Sequence, residues 1–372
     1  MNRGVATFTL DYGKCPKWLF DRMVSLSKEV LHLMSYEYGP DEFIKRIADP
    51  VWFQSLGTVL AFDWNASGLT TVLTAALKEA IRGEEKQLGI FICGGKGKTS
   101  RKTPTEIQYW SNKLDFDSKT SQALVYNSKM AAKVDSSLVQ DNYQIYHHSF
   151  FFSLNGSWAV VQQGMNTKNL TARRYHWYSK NISDLINEPH SGIISQLKEK
   201  NVLNLTSAKS SKNREVSLEL LQNGFKSLSK DLRIIKEHYN SQSGVLSLKF
   251  KNETFTSLKL QDNSYDFHYL PVVEENFFES SYLKKILEKI CYENPQNYES
   301  FLAQKGVGPK TVRALSLVSE VIYGAKPSYE DPARYSFAFG GKDAVPYPVD
   351  RSTYDESIAL IKKAVEKFDK IN

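Results

Sequence analysis

The segment Asn297–Tyr323 constrains the fold of this chain most, because it predicts two short amphipathic helices joined by a glycine turn. Gly306-Val307-Gly308 can turn sharply without the steric penalty of a Cβ atom. Pro309 suits the first position of the second helix, where a missing N–H is tolerated. The apolar residues recur at helical spacing in both helices: Tyr298, Phe301 and Leu302, then Val312, Leu315, Val318 and Ile322.

The glycine turn and the start of the second helix also predict an anion site. Backbone amides at a helix N-terminus attract negative charge, and Lys305, Lys310 and Arg313 surround this one with positive charge. The segment resembles the helix-hairpin-helix motif of DNA repair and recombination proteins, which grip one phosphodiester backbone without reading bases. The resemblance implies DNA as the partner and phosphate contacts from Lys305, Gly306, Gly308, Lys310, Thr311 and Arg313.

Composition places few further limits on the chain. Its 372 residues are 41% hydrophobic and carry a formal net charge of +7, which allows more than one packed core and favours a polyanionic partner. Three scattered cysteines suit a reducing cytoplasm. No apolar run reaches the about 18 residues of a membrane helix. The abundance of Lys and Glu fits a thermophile.

The chain reads as three blocks. We predict an α/β domain with a catalytic role at residues 1–179, a polar and mostly helical connecting region at 180–276, and an all-α helix-hairpin-helix DNA-binding domain at 277–372. Within the first block, Asn155-Gly156 between two apolar runs predicts a β-hairpin. Residues 118–136 are expected to form a helix.

A βαβ unit is predicted between residues 59 and 93. The apolar runs Val59–Phe62 and Gly89–Cys93 read as strands, and Leu69–Arg82 between them reads as an amphipathic helix. Strands connected in this way are parallel and end at the same edge of the sheet. Asp63 would therefore face the glycine-rich segment that follows the second strand. Ligand sites of open α/β sheets lie at that edge.

The glycine-rich segment Gly94–Lys102 is a candidate phosphate cradle. Its bare backbone amides could approach an anion closely, although its spacing matches neither a Walker loop nor a dinucleotide fingerprint. A solvated basic loop is the alternative. The residues expected to contact phosphate are Gly94, Gly95, Lys96, Lys98 and Arg101.

Polar residues crowd the region from Lys133 to Trp177, where several interrupt apolar strands. Buried polar groups are costly unless they are satisfied, so they indicate either a structural network or chemistry. As chemistry, Asp63, Asp135 and Asp141 would bind Mg²⁺ or Mn²⁺. Lys133 and His148 complete the predicted catalytic group, and Arg173 and Arg174 would neutralise a phosphate. A hydrolytic nuclease needs such a set of metal ligands and cations.

Scattered motifs resemble an uncharacterised family of archaeal and thermophilic bacterial proteins, a domain of unknown function with a C-terminal helix-hairpin-helix. The motifs are Phe62–Trp64, Gly94–Lys98, Ala132–Asp135, Gln162–Asn166, Arg173–Trp177 and Gly340–Asp343. This resemblance implies no established reaction.

Three functions remain open at this point: a metal-dependent DNA nuclease, a DNA glycosylase with lyase activity, and a non-catalytic DNA-binding factor. In helix-hairpin-helix glycosylases with lyase activity, a lysine at the position of Lys310 forms a Schiff base. The aspartate expected about eighteen residues later is replaced by Ser328, and the nearest acids are Glu330 and Asp331.

Overall fold

The structure, a computed structural model, describes residues 15–60, 66–240, 245–250, 253–259, 280–333, 355, 358, 359 and 362. The chain divides into two compact units. The sheet unit comprises Met1–Asp135, Asn142–Lys198 and Pro332–Asn372, and the hairpin unit comprises Ser136–Asp141 and Glu199–Asp331. The three predicted domains stay a prediction.

The described part of the sheet unit begins with helices. Two of them begin where local sequence demands it: α2 and α3 each start with proline, and the Asp49 side chain caps α3 by accepting from the amides of Val51 and Trp52. The helices are α1 (Lys17–Tyr38), α2 (Pro40–Ile47), α3 (Pro50–Val59), α4 (Ala66–Ala80), α5 (Glu85–Leu88), α6 (Thr103–Lys113) and α7 (Ser118–Ser137). The helix expected at 118–136 is confirmed as α7.

One five-stranded sheet organises this unit. Its strands, in spatial order, are β1 (Ile90–Lys96), β3 (Gln144–Ser153), β4 (Trp158–Asn166), β5 (Thr171–Tyr178) and β6 (His190–Ser195). Every neighbouring pair runs antiparallel. The hairpin predicted at Asn155-Gly156 is confirmed as the β3–β4 turn, where Gly156 has a φ of 84°.

The predicted βαβ unit is wrong. Val59 is the last residue of helix α3, not part of a strand. β1 pairs only with β3, in the antiparallel direction, so no parallel partner precedes it among the described residues. Asp63, which was expected at the end of the first strand, lies outside the described residues. The chain is mixed α/β with an antiparallel sheet.

The core of the sheet unit lies between α1–α4 and one face of the sheet. Buried side chains of α1, such as Met23 and Leu31, join Leu73 of α4 and Ile92 and Phe151 of the sheet in one apolar cluster. Helix α7 supplies side chains to the opposite face, where Ser128 contacts His148. The sheet is therefore buried on both faces.

The hairpin unit is mainly helical. It contains α8 (Ser211–Gln222), α9 (Phe225–Asn240), α10 (Ser281–Glu293), α11 (Tyr298–Ala303) and α12 (Pro309–Val321). Two short antiparallel ladders accompany them: β2 (Val139–Gln140) with β7 (Leu203–Asn204), and β8 (Val245–Phe250) with β9 (Glu253–Lys259). Within the described ranges, no helix has the length and apolar character needed to cross a membrane.

Candidate nucleic-acid interface

Helices α11 and α12 form the two arms expected from the sequence. Asn297 and Ser300 make a capping box at the start of α11, with each side chain bonded to the other residue's backbone amide. Tyr298, Phe301 and Leu302 of α11 are buried. The turn at residues 304–308 joins the helices, and Val307 at its centre is buried. Burial of Val307 anchors the turn and leaves its flanks at the surface.

The two glycines of the turn serve different purposes. Gly306 has a φ of 98°, and a Cβ atom there would collide with Ile286 of α10, so the fold itself requires glycine. Gly308 is extended, with φ −154° and ψ −173°, and a Cβ there would meet nothing within 4 Å. The fold therefore accepts a larger side chain at 308, and the open space in front of it is available to a ligand.

Backbone donors without a protein acceptor collect at the start of α12. Gly308 provides no side-chain cap, and the first amide to find a partner is that of Val312, which donates to the Gly308 carbonyl at 3.1 Å. Within the described part of the chain, the amides of Gly308, Lys310 and Thr311 have no hydrogen-bond acceptor. Such unpaired donors, aligned with the helix dipole, favour an anion.

Two of the predicted cations flank these amides. Lys305 and Lys310 are exposed, and neither has an ion-pair partner among the described residues. The Thr311 side chain is buried, so Thr311 offers the site only its amide. Arg313 was expected to contact phosphate. In the structure its Nε donates to Gln140 Oε1 at 2.5 Å.

Gln140 is a part of this site that the sequence did not indicate. Its Nε2 donates to the Pro309 carbonyl at 3.0 Å while its Oε1 accepts from Arg313. The side chain therefore braces the first turn of α12 from strand β2. A lone polar residue on a two-residue strand carries no recognisable spacing, so no sequence signal pointed to it.

In the glycine-rich segment of the sheet unit, Gly94 does not have the phosphate-binding role that was predicted for it. Gly94 and Gly95 belong to strand β1 and pair with Ser149 and His148. The Gly94 amide donates to Glu106 Oε2 at 2.8 Å, and a Cβ at Gly94 would collide with the His148 carbonyl. Close packing therefore requires glycine at position 94, and the Gly94 amide is not available to a phosphate.

The cations of the same segment do reach solvent. Lys96, Lys98, Arg101 and Lys102 are exposed along the end of β1 and the 3-10 helix Gly97–Lys102. None of them makes an ion pair within the described ranges. This basic segment is an exposed patch of positive charge.

Asp135 lies in a buried network on the α7 face of the sheet. Its carboxylate accepts from Gln162 Nε2 at 2.5 Å, from Trp177 Nε1 at 3.0 Å and from His190 Nε2 at 2.5 Å. Gln162 continues the network to His148, whose other ring nitrogen lies 2.9 Å from Ser128 Oγ. Both carboxylate oxygens are thus engaged by protein donors, and His190 is a member that sequence reasoning missed.

A second polar row crosses the opposite face, beneath α4. Lys96, His147, Gln163 and Arg174 stand directly opposite one another on four neighbouring strands. The guanidinium of Arg174 donates to Thr70 at 3.1 Å and to Gln54 at 3.0 Å, and lies 4.4 Å from the centre of the Phe53 ring. Burial lowers the pKa of Arg174 to about 9.

Burial also determines the charge of three histidines on the two faces of the sheet. It lowers the pKa of His147 to about 3, and it lowers the pKa values of His148 and His176. All three imidazoles are therefore neutral at physiological pH. His147 Nδ1, Gln163 Oε1 and His176 Nε2 are buried without a hydrogen-bond partner.

The predicted phosphate contacts from Arg173 and Arg174 are not at a surface. Both side chains are fully buried, and Arg173 packs its guanidinium 4.6 Å from the centre of the Tyr143 ring. Adjacent strand residues point to opposite faces, and here both faces are covered. The two arginines therefore belong to the packed interior of the sheet unit and do not reach a phosphate at its surface.

The remaining predicted catalytic residues are Lys133 and Asp141. Lys133 is half-buried, which lowers the pKa of its amine to about 8. Asp141 is buried and belongs to the hairpin unit, whereas Asp135 belongs to the sheet unit. Among the described residues, no group of three or more His, Cys, Asp or Glu side chains could hold a metal ion.

Comparison with known proteins gives a family. The family model described as "Protein of unknown function (DUF763)" matches residues 4–349, nearly the whole chain. The chain belongs to this family. No curated protein and no solved structure matches it. Because the family description names no activity, a function must be argued from the geometry. The motif Gly340–Asp343, part of the resemblance noted above, lies outside the described residues.

Proposed function

We propose that this protein binds the phosphate backbone of DNA through the α11–α12 turn of its hairpin unit. One observation carries the proposal: three backbone amides, those of Gly308, Lys310 and Thr311, have no acceptor among the described residues, and the same short segment carries two exposed lysines, Lys305 and Lys310. An oxyanion placed there would receive several N–H donors and the positive end of the α12 dipole. The resemblance of the segment to a helix-hairpin-helix, which holds a phosphodiester backbone, supports the same proposal.

The chemical type of the donors at this site predicts whether DNA binding depends on base sequence. Backbone amides and lysine ammonium groups contact phosphate oxygens and carry no information about base sequence. We therefore propose sequence-independent binding. Two further features support a polyanionic partner: the net charge of +7, and the basic segment of the sheet unit, whose four exposed cations make no ion pair with any described residue.

Salt dependence tests the proposal quantitatively. The logarithm of the affinity for duplex DNA should fall linearly with the logarithm of salt concentration, by about 0.9 per neutralised phosphate. Lys305→Ala and Lys310→Ala should each make that slope shallower by up to about one. Lys230→Ala, which removes an exposed positive charge from α9 in the same unit, is the matched control. Fluorescence anisotropy titrations at several salt concentrations measure all four slopes.

Two results would contradict this account. A salt-independent affinity would indicate a partner that is not a polyanion. Equal slopes for Lys305→Ala, Lys310→Ala and the Lys230→Ala control would show that the turn is not where the phosphate binds.

Hydrolysis of DNA with Mg²⁺ or Mn²⁺ stays a prediction from the sequence. Of its three metal ligands, Asp63 lies outside the described residues and Asp135 is engaged by three protein donors. Incubation of the protein with single-stranded, duplex and abasic DNA, with manganese or with EDTA, tests it. Cleavage that requires the metal supports the nuclease, and intact DNA under every condition contradicts it.

In the lyase alternative, Lys310 is exposed, but the two acids nearest to Ser328 in the sequence already have partners. Glu330 pairs with Lys209 at 2.6 Å, and Asp331 accepts from the Glu199 amide at 2.7 Å. Borohydride trapping on abasic DNA, compared between wild type and Lys310→Ala, tests this chemistry. A trapped complex that disappears in the variant would favour the lyase, and an absence of trapping would exclude it.

A further inference from the structure

Helix α10 exposes an aromatic and basic face beside the α11–α12 turn. Tyr282, Lys285, Lys289 and Tyr292 follow one another at spacings of three, four and three residues, which places them on one side of the helix. Tyr282 is 65% exposed and Tyr292 is 91% exposed. We call this set the α10 face.

The two exposed tyrosines of this face do not contribute to the packing of α10. Leu283, Leu287 and Ile290 bury the opposite side of α10 in the hairpin unit, so the helix does not need the two tyrosines for packing. Neither phenol has a hydrogen-bond partner within the described residues. Lys285 is exposed and makes no ion pair there, and Lys289 makes only a 3.4 Å pair with Glu293.

The α10 face begins beside the turn that carries the proposed phosphate site. Ile286 packs against Gly306 of the turn, and the Tyr282 hydroxyl would lie 3.5 Å from a Cβ atom built on that glycine. The exposed Tyr282 ring therefore lies at Gly306, two residues before Gly308, whose amide belongs to the proposed phosphate site. From Tyr282 the face extends to Tyr292, about 15 Å along the helix axis.

We propose that the α10 face binds unpaired nucleotides that continue from the phosphate held at the turn. Tyr282 and Tyr292 stack on bases, and Lys285 neutralises the phosphate between them. This proposal rests on the proposed function and names its substrate class as DNA with a single-stranded segment. Aromatic rings combined with cations along one surface are the features by which proteins hold single strands without reading sequence.

Stacking selects the single strand for a physical reason. In a duplex both faces of each base are already covered by neighbouring bases, so a protein ring gains nothing unless the pair opens. An unpaired base offers a free π-face, and its stacking on an aromatic side chain strengthens binding whatever the base. The turn would hold either form of DNA, and the α10 face would add affinity only for the unpaired form.

Anisotropy titrations with two probes test the proposal: a fluorescein-labelled oligothymidylate strand and a blunt duplex of mixed sequence. The double variant Tyr282→Ala/Tyr292→Ala should bind the strand at least about tenfold more weakly and bind the duplex as the wild type does. Tyr282→Phe/Tyr292→Phe keeps both rings and should retain wild-type affinity for the strand. Tyr38→Ala removes a tyrosine that is also 65% exposed, on α1, and should change neither affinity.

Every other outcome overturns the α10 proposal, its stacking mechanism, or both proposals together. If the alanine variant binds the strand as tightly as the wild type while the wild type binds the duplex, the α10 proposal is overturned and the hairpin proposal stands. Equal losses for both probes also overturn it, because the face would then not distinguish unpaired bases. If the phenylalanine variant weakens as much as the alanine variant, stacking is overturned. If the wild type binds neither probe, both proposals fail together.

Discussion

Replacing Asp135 with alanine is expected to lower the free energy of unfolding by about 3–5 kcal/mol. The carboxylate is fully buried and accepts from Gln162, Trp177 and His190. Its removal leaves three buried donors without an acceptor, and each such group loses the hydration that it would have in the unfolded chain. Asp135→Asn should also destabilise, because its amide group presents a donor to one of the existing donors.

Urea denaturation followed by circular dichroism measures this loss. Asp21→Ala, which removes an exposed carboxylate from α1, is the matched control and should stay within about 0.5 kcal/mol of wild type. The result also bears on the nuclease prediction. A carboxylate held in place for a metal, without donors around it, would be relieved of repulsion by the substitution, so unchanged or increased stability would contradict the network described here.

Acidification is the second large effect expected. The pKa of His147 falls from 6.5 to about 3 on folding because the imidazole is buried. Below about pH 6.5 the unfolded chain therefore binds a proton that the folded chain excludes, so stability falls as the pH decreases towards the folded pKa. For His147 alone the loss between about pH 7.5 and about pH 5 is about 2 kcal/mol. His148 and His176 add losses of the same sign.

His147→Gln isolates the contribution of this one imidazole. In the wild type, His147 Nε2 lies 3.2 Å from the Thr74 hydroxyl and 3.0 Å from that of Ser149, and the glutamine amide can meet the same hydroxyls without titrating. Urea denaturation of both proteins at the two pH values gives the comparison. The variant should lose about 2 kcal/mol less than wild type on acidification, and an identical pH dependence would show that His147 is not buried in its neutral form.

Local sequence signals predicted the local structure well. The Asn155-Gly156 turn, helix α7 and the two arms around Gly306-Val307-Gly308 are set by turn chemistry and by periodicity within a few residues. These elements form where the sequence indicates because their determinants lie within them. The same holds for the amides at the start of α12, which follow from Pro309 and from the absence of a capping side chain at Gly308.

Strand partners and the burial of side chains could not be predicted from local sequence signals. The run at Val59 was interpreted as a strand, although Asp49 and Pro50 upstream already form a cap and a first helical position for α3. The direction of β1 depends on β3, more than fifty residues later, and no local signal specifies it. Arg173 was read as a surface cation, but residues distant in sequence, Tyr143 and Leu197, supply its surroundings.

The members of the polar networks were likewise only partly predictable from the sequence. Crowding of polar residues around Asp135 was visible in the sequence, but the partner that distinguishes a structural carboxylate from a metal ligand, His190, lies 55 positions away. Only the fold brings His190, Trp177 and Gln162 to the same carboxylate. In the hairpin unit, Gln140 reaches Arg313 across 173 positions for the same reason.

Duplex DNA binding by Gly308→Val tests the central claim most directly. Gly308 is extended and a Cβ atom there meets nothing within 4 Å, so the variant should fold with wild-type thermal stability, while its side chain fills the space where the phosphate would bind. Ser227→Val, at an exposed position of α9 in the same unit, is the matched control. Anisotropy titrations should show a loss of about tenfold or more for Gly308→Val, equal for unrelated sequences, and none for the control. A folded Gly308→Val protein that binds duplex DNA as tightly as the wild type would contradict the claim that this turn holds the DNA backbone.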